Sequence, residues 1–161
     1  MLLDIERWTP TRQGDIGELS AINWLMGAGA IVSLPMFHSP DYDLIADFGE
    51  RPLRIQVKTS TSWHKGRFIV ALCTRGGNQS WNGVIKRLDA TRCDCLFVHV
   101  GDGRRWFIPA SQLGGGSSIA LGGPKYAEYG VEPGEPLPKR CPTLDSGSLW
   151  RDSRAVKGDA L

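Results

Sequence analysis

The stretch SPDYDLIADFGERPLRIQVKTS, residues 39–60, constrains this chain more than any other part of it. Two apolar runs, YDLIADF and LRIQVKTS, flank GERP, and that pattern specifies a β-hairpin. Alternation assigns the faces. On the return run Leu53, Ile55 and Val57 point one way, and Arg54, Gln56 and Lys58 the other. On the outgoing run Leu44, Ala46 and Phe48 share a face, opposite Asp43, Ile45 and Asp47. An even loop sets Asp43 across from Lys58 and Asp47 across from Arg54, its expected partner. Gln56 then lies diagonal to Asp43, roughly 7–8 Å away backbone to backbone. An acidic group, a second oxygen donor and a lysine are expected to converge at one edge of a sheet.

The rest of the chain supplies a scaffold for that hairpin. TPTRQGDIGELSAINWLMGAG reads as a helix, with Thr9 as N-cap and Pro10 in the first turn. Ile16, Leu19, Ile22, Leu25 and Met26 recur at helical spacing, and Gly27 and Gly29 supply the stop. AIVSLP and RFIVALC are expected strands, VIKRLDAT one or two helical turns, CLFVHV a fully buried strand, and RRWFIPA another. The order predicts an α/β (α+β) domain around one mixed sheet. Length suits a single domain over residues 1–130. From Val131 the composition turns to Pro, Gly and charge without period, so 131–161 is expected as a disordered tail with Trp150 as its one anchor.

Net charge of +2 conceals a split. Residues 1–50 hold 2 basic and 8 acidic residues, whereas 51–106 hold 11 basic and 3 acidic ones. A basic middle beside an acidic first third suits a polyanion-binding face adjoining a cation site; pairing of the two halves across a solvated surface fits the charge equally well. No apolar run reaches membrane-spanning length, and MLLDIERWTP has no basic stretch followed by an apolar one. A cytoplasmic protein with no membrane partner is expected. The cysteines, Cys73, Cys93, Cys95 and Cys141, lack CxxC spacing, which argues for reduced thiols and against a zinc knuckle.

Convergence of Asp43, Gln56 and Lys58 suits phosphodiester hydrolysis. Mg²⁺ (or Mn²⁺) takes oxygen ligands and uses one or two carboxylates together with the substrate phosphate. A nearby lysine orients the attacking water or offsets charge building on phosphorus. Glu18 is a further candidate, since GDIGE places Gly14 and Gly17 around it and lets the helix approach a sheet closely.

GDIGE, SPDYDLIAD and IQVKTS together resemble the PD-(D/E)xK nuclease superfamily, over roughly residues 10–125. The chain is similar in particular to group I intron-associated homing endonucleases with QxK in place of (D/E)xK, and more distantly to Holliday-junction resolvases. The resemblance implies a restriction-endonuclease-like αβββαβ core, Mg²⁺ dependence, double-stranded DNA as substrate, and a homodimer or higher homo-oligomer. Matched residue by residue, it implies Glu18 and Asp43 near the metal, Gln56 in the acidic position and Lys58 as the catalytic lysine. Gln56 departs from the acidic pattern: its carbonyl can ligate Mg²⁺ but brings no charge.

Duller readings stand beside these. Asp43 can cap a turn after Pro40, Lys58 can be an edge-strand charge, and a glutamate on a first helix usually faces solvent. Lys65, at a loop tip with Trp63 and His64, and Arg67, Arg75 and Lys86 are candidate nucleic-acid contacts. Asn78, Gln79, Trp81 and Asn82 offer base-edge donors and a stacking ring. His99 reads as an interior histidine, and Tyr126 and Tyr129 as packing residues. Two rival functions remain open: a non-catalytic DNA-binding module on a decayed nuclease fold, and a structural protein whose basic band meets an acidic partner.

Overall fold

The computed structural model describes residues 9–36, 41–75 and 85–137. One helix, α1 (Pro10–Gly27), leads into β1 (Ile31–Ser33), β2 (Leu44–Asp47), β3 (Leu53–Ser60), β4 (Trp63–His64) and β5 (Arg67–Ala71). These are followed by β6 (Cys73–Arg75), β7 (Ile85–Arg87), β8 (Cys95–Val100), β9 (Arg105–Pro109), β10 (Ser118–Leu121) and β11 (Gly130–Val131). The main sheet has the order β1-β2-β3-β8-β9-β11. Its β3–β8 pair is parallel and its other pairs antiparallel, so the sheet is mixed, as the sequence predicts. A three-stranded sheet, β10-β5-β4, and the ribbon β6-β7 complete it.

α1 begins as expected: Thr9 Oγ1 accepts from the Arg12 N–H at 3.2 Å, and Pro10 opens the first turn. Its buried stripe, however, is Gln13, Gly17, Ala21 and Leu25. Leu19 and Met26, expected on the apolar face, are 65% and 62% exposed. Small side chains at i, i+4 let the helix backbone come close to the sheet, and the larger residues are rotated outward. Gly17 shows how close: a Cβ there would lie 2.2 Å from Thr59 Cγ2 on β3. Gly14, by contrast, faces open space, so only one of the two glycines serves close approach.

The main sheet is covered on both sides. α1 buries one face through Ala21, Leu25, Leu44, Ala46, Ile55, Val57, Cys95 and Phe97. The small sheet buries the other through Phe68, Val70, Leu96, Val98, Val100, Trp106, Ile108, Ile119 and Leu121. β8 is central to both cores, and all six of its residues are buried, matching the continuous apolar run of a parallel strand.

Two expectations are corrected. VIKRLDAT was expected to be helical, yet Ile85–Arg87 pairs with β6, Cys73 opposite Arg87 and Arg75 opposite Ile85. Strand pairing overrides a weak local helix preference, and Asp89 then ends the segment by accepting from the Thr91 N–H. Among the described residues no helix intervenes between β5 and β8. Residues 131–137, expected to begin a disordered tail, are docked instead. Val131 pairs with Arg105, the Trp24 indole donates to Glu132, and the Gly134 N–H donates to the Gly103 carbonyl at 2.8 Å. Leu137 is 4% exposed. The buried Arg105 guanidinium gathers this strap, donating to the carbonyls of Glu132 and Pro133 and to Ser20. Main-chain acceptors order the strap together with buried Leu137, and their distance in sequence from Arg105 is why hydrophobic periodicity misses it. Residues 138–161, Trp150 among them, lie outside the described residues.

Candidate active site

The hairpin register places the site. Leu44 pairs with Ile55, Ile45 with Arg54 and Ala46 with Leu53, which brings Asp43 opposite Gln56 rather than Lys58. The loop remains even, so the faces are as expected, but the turn starts one residue early. Asp47 curls into it: its Oδ1 accepts from the Gly49 N–H at 2.7 Å, and Gly49 takes φ +95°. Asp47 and Arg54 are therefore not partners. Arg54 instead donates through Nε to Asp94 Oδ2 at 2.9 Å, and Arg51 joins the same carboxylate at 3.1 Å. With the Arg54 guanidinium as the main cause, the Asp94 carboxyl is held far below the usual range.

Asp43 does two jobs at the mouth of β2. Its main-chain N–H donates to the Ile55 carbonyl, and its Oδ2 accepts from the Val57 N–H at 2.7 Å, so a carboxylate closes the ladder beyond the last strand pair. Gln56 Nε2 also donates to that oxygen. Burial pushes the Asp43 carboxyl upward, against the opposing pull of the Val57 N–H, the Lys58 charge and the Gln56 amide. Glu18 is likewise raised, by burial first and then by the charges of Asp43 and Asp15. Burial lowers Lys58, with the Asp43 charge working against it. The three groups predicted from sequence thus share one environment with Gln56. Lys58 donates no hydrogen bond among the described residues, although it is largely withdrawn from water.

This donor set fits a hard divalent cation in part. Two carboxyls raised by burial, one of them also by its neighbour's charge, gain from a cation placed between them. Among the described residues, however, no three His, Cys, Asp or Glu side chains cluster as metal ligands. Gln56 presents an N–H to Asp43, and its amide must turn over before its carbonyl can share an ion with that carboxylate.

Candidate contact residues sit elsewhere. Lys65 (φ +48°) and Gly66 (φ +79°) form the two-residue tip between β4 and β5, the left-handed geometry of a tight hairpin. Trp63, 55% exposed, meets the Phe68 ring edge-on at 4.6 Å. Arg67 is exposed beside that tip, whereas Arg75 and Lys86 lie on the β6–β7 ribbon. Asn78, Gln79, Trp81 and Asn82 lie outside the described residues. His99 is interior as expected; its Nε2 meets the Glu135 carbonyl at 2.8 Å, while its Nδ1 has no partner. Tyr126 packs in the core, Tyr129 packs against it, and Cys73, Cys93 and Cys95 are free thiols. No described helix is long and apolar enough to cross a membrane. Sequence reasoning missed Asp94, whose hold on Arg51 and Arg54 fixes the turn end of β3; it lies 40 residues from Arg54, with no local signal.

Comparison with known proteins agrees with this geometry. The sequence family described as PD-(D/E)XK endonuclease matches residues 9–121, which run from the N-cap of α1 to the end of β10. Among solved structures, a bacterial homing endonuclease, I-Ssp6803I, is similar with a TM-score of 0.66 and 24% identity. That likeness covers 76% of this chain and 89% of the other, and at this identity it is one of fold. No curated protein matches the chain. With that match spanning most of the chain and the fold in agreement, the chain belongs to the PD-(D/E)XK endonuclease family.

Proposed function

We propose that the chain is a metal-dependent endonuclease of the homing type that hydrolyses phosphodiester bonds in double-stranded DNA, working in the cytoplasm as a homodimer or higher homo-oligomer. The observation that carries this reading is Lys58: a cation withdrawn from water beside Asp43, with no hydrogen bond among the described residues to account for it. Burial disfavours its charge and the Asp43 carboxylate favours it, the balance expected of a lysine that acts beside a metal-binding carboxylate. Asp43, Glu18 and, after its amide turns, Gln56 would hold Mg²⁺ or Mn²⁺. When bound, the ion supplies Lewis acidity toward a phosphoryl oxygen.

The chain's own groups do the rest. Asp43 is fixed by the Val57 N–H, so one carboxylate oxygen is committed to the fold and Oδ1 is left for ligation. Lys58, its ammonium destabilised by burial, orients the attacking water and offsets charge building on the phosphate. Lys65, Arg67, Arg75 and Lys86 hold the DNA backbone. A second reading, a DNA-binding module without cleavage, is favoured by one observation: Gln56 turns its N–H, not its carbonyl, toward Asp43, so residue 56 offers no ligand in this arrangement. Incubating purified protein with supercoiled plasmid, with and without Mg²⁺, decides between them. Nicked or linear product that requires Mg²⁺ supports the enzyme. DNA retention without product in either Mg²⁺ or Mn²⁺ supports the module.

A further inference from the structure

A second cavity, of about 260 Å³, opens along the edge strand β10. Arg67, Lys125, Tyr126, Ser118, Gly114 and Gly116 line it. Arg67 and Lys125 bring two cationic donors to it. Neither Arg67 nor Lys125 makes an ion pair among the described residues. The Arg67 guanidinium is set in place by Gly123, where a Cβ would approach its Cζ to 2.9 Å. Lys125 Nζ stands 5.0 Å from the Tyr126 ring centroid. Tyr126 is 3% exposed, and its hydroxyl is buried with no hydrogen-bond partner.

The backbone adds to the same pattern. Leu113 is right-handed (φ −81°, ψ −9°) and Gly114 has φ +67°. Successive residues of that handedness point their N–H groups into one concavity, a geometry that binds anions. Among the described residues neither the Gly114 nor the Gly115 N–H donates a hydrogen bond. Two cationic side chains and two free N–H groups thus suit a compact, multiply accepting anion, and a small shift of the Tyr126 ring would add its unpartnered hydroxyl.

We propose that this cavity receives a backbone phosphodiester of bound DNA, flanking the one that is cut. The proposal rests on the nuclease reading for the identity of its ligand. Position supports that source. Gly116 lines the cavity, and the next residue, Ser117, accepts through its carbonyl from the Leu72 N–H at 2.9 Å and from Cys73 Sγ at 3.2 Å. Arg67, which lines the cavity, stands on β5 beside the β4–β5 tip, so the cavity adjoins a residue assigned above to the DNA backbone. Lys65 stands at that tip.

The test uses the full chain with two substitutions, Lys125→Gln and Tyr126→Phe, and a labelled duplex in chelator so that no cleavage occurs. Fluorescence anisotropy is read across a salt series. Lys125→Gln is expected to weaken binding about tenfold and to lower the slope of log Kd against log salt by about one. Tyr126→Phe is expected to weaken binding at least about threefold with the slope unchanged, because it removes a neutral donor. It should not lower the Tm of the free protein, since its hydroxyl has no partner there. Wild-type affinity in both variants overturns the proposal. So does a loss confined to Lys125→Gln, which would mark a diffuse surface charge. A lower Tm for Tyr126→Phe overturns it too, because the hydroxyl would then serve the fold. Inorganic phosphate at constant ionic strength separates the two sources of phosphate. If it raises the Tm of wild type alone while all three proteins bind duplex equally, the cavity belongs to a free anion and the DNA assignment falls. Plasmid cleavage is scored in parallel. Cleavage by wild type with unaltered binding in both variants sinks the cavity and spares the enzyme. Weakened variants beside a wild type that binds without cleaving sink the enzyme and support the cavity.

Discussion

Replacing Gln56 by Glu inverts the sign of the contact at the centre of the site, and its consequences can be worked through. In the metal-free protein the Gln56 amide donates to Asp43 Oδ2, a charge-assisted bond whose loss costs about 1.5–3 kcal/mol. The variant puts a carboxylate in place of that donor, directly opposite another carboxylate. At roughly 4 Å and an effective dielectric near 20 the repulsion is about 4 kcal/mol, and partial exposure of the pair reduces it to about 2 kcal/mol. Together these come to about 3.5–5 kcal/mol, so without divalent metal Tm at neutral pH should fall by about 7–20 °C for a domain of this size. Asp43 is already raised by burial, and the pair rises further. A carboxyl with a raised folded pKa binds more protons in the folded state than in the unfolded one. Stability therefore falls as pH climbs from the unfolded carboxyl value near 4 toward the raised folded value. The Tm gap between variant and wild type should be smallest near pH 4 and widest near neutrality. Mg²⁺ should reverse the order: the variant gains more Tm on adding Mg²⁺ than wild type does, and calorimetry shows a tighter ion. The assay is a thermal-shift series in pH and Mg²⁺, with calorimetry at neutral pH. Equal Tm in the two proteins at every pH, together with equal Mg²⁺ affinity, would falsify the placement of residue 56 beside Asp43.

Asp43→Asn keeps an oxygen for the Val57 N–H, so it should fold like wild type and lose cleavage; a folded variant that cuts at the normal rate removes the metal site. Lys58→Met should also abolish cleavage, while its Tm holds or rises because a poorly solvated charge is gone; a clear drop in Tm would make the lysine structural. Gly17→Ala should cost a few kcal/mol, about 1–3 by the overpacking range, against Thr59, whereas Gly14→Ala should stabilise by about 0.5–1 kcal/mol, as urea unfolding can show. A chain ending at Leu137 should melt several degrees above one ending at Val131, because only the longer one keeps the carbonyls that satisfy Arg105 and His99. Coincident melting curves would show that the strap adds nothing.

How much of this was legible in the sequence depends on how local each cause is. The faces of the hairpin follow from alternation alone, so Gln56 and Lys58 were placed correctly on one side without coordinates. Their partners depend on where the turn begins, and a single side chain, Asp47 closing onto Gly49, moved that by one residue. The helix face failed for a related reason. Periodicity looks for large apolar side chains, whereas α1 buries Gly17 and Ala21 and exposes Leu19. The β6–β7 ribbon, the grip of Asp94 on two arginines and the strap at 131–137 all depend on groups distant in sequence, and no window of neighbouring residues carries them.

The bond from Val57 to Asp43 has a consequence for ancestry. Because that carboxylate completes a sheet ladder, a lineage freed from selection for cleavage would still be held to an acidic or amide residue at position 43 by foldability alone. The presence of Asp43 in a descendant is thus poor testimony to activity. Lys58 is the opposite case: no hydrogen bond of its side chain ties it to the fold among the described residues, and burial disfavours its charge, so drift should replace it early. Retention of the lysine is therefore the better marker to follow when cleavage is compared across such descendants.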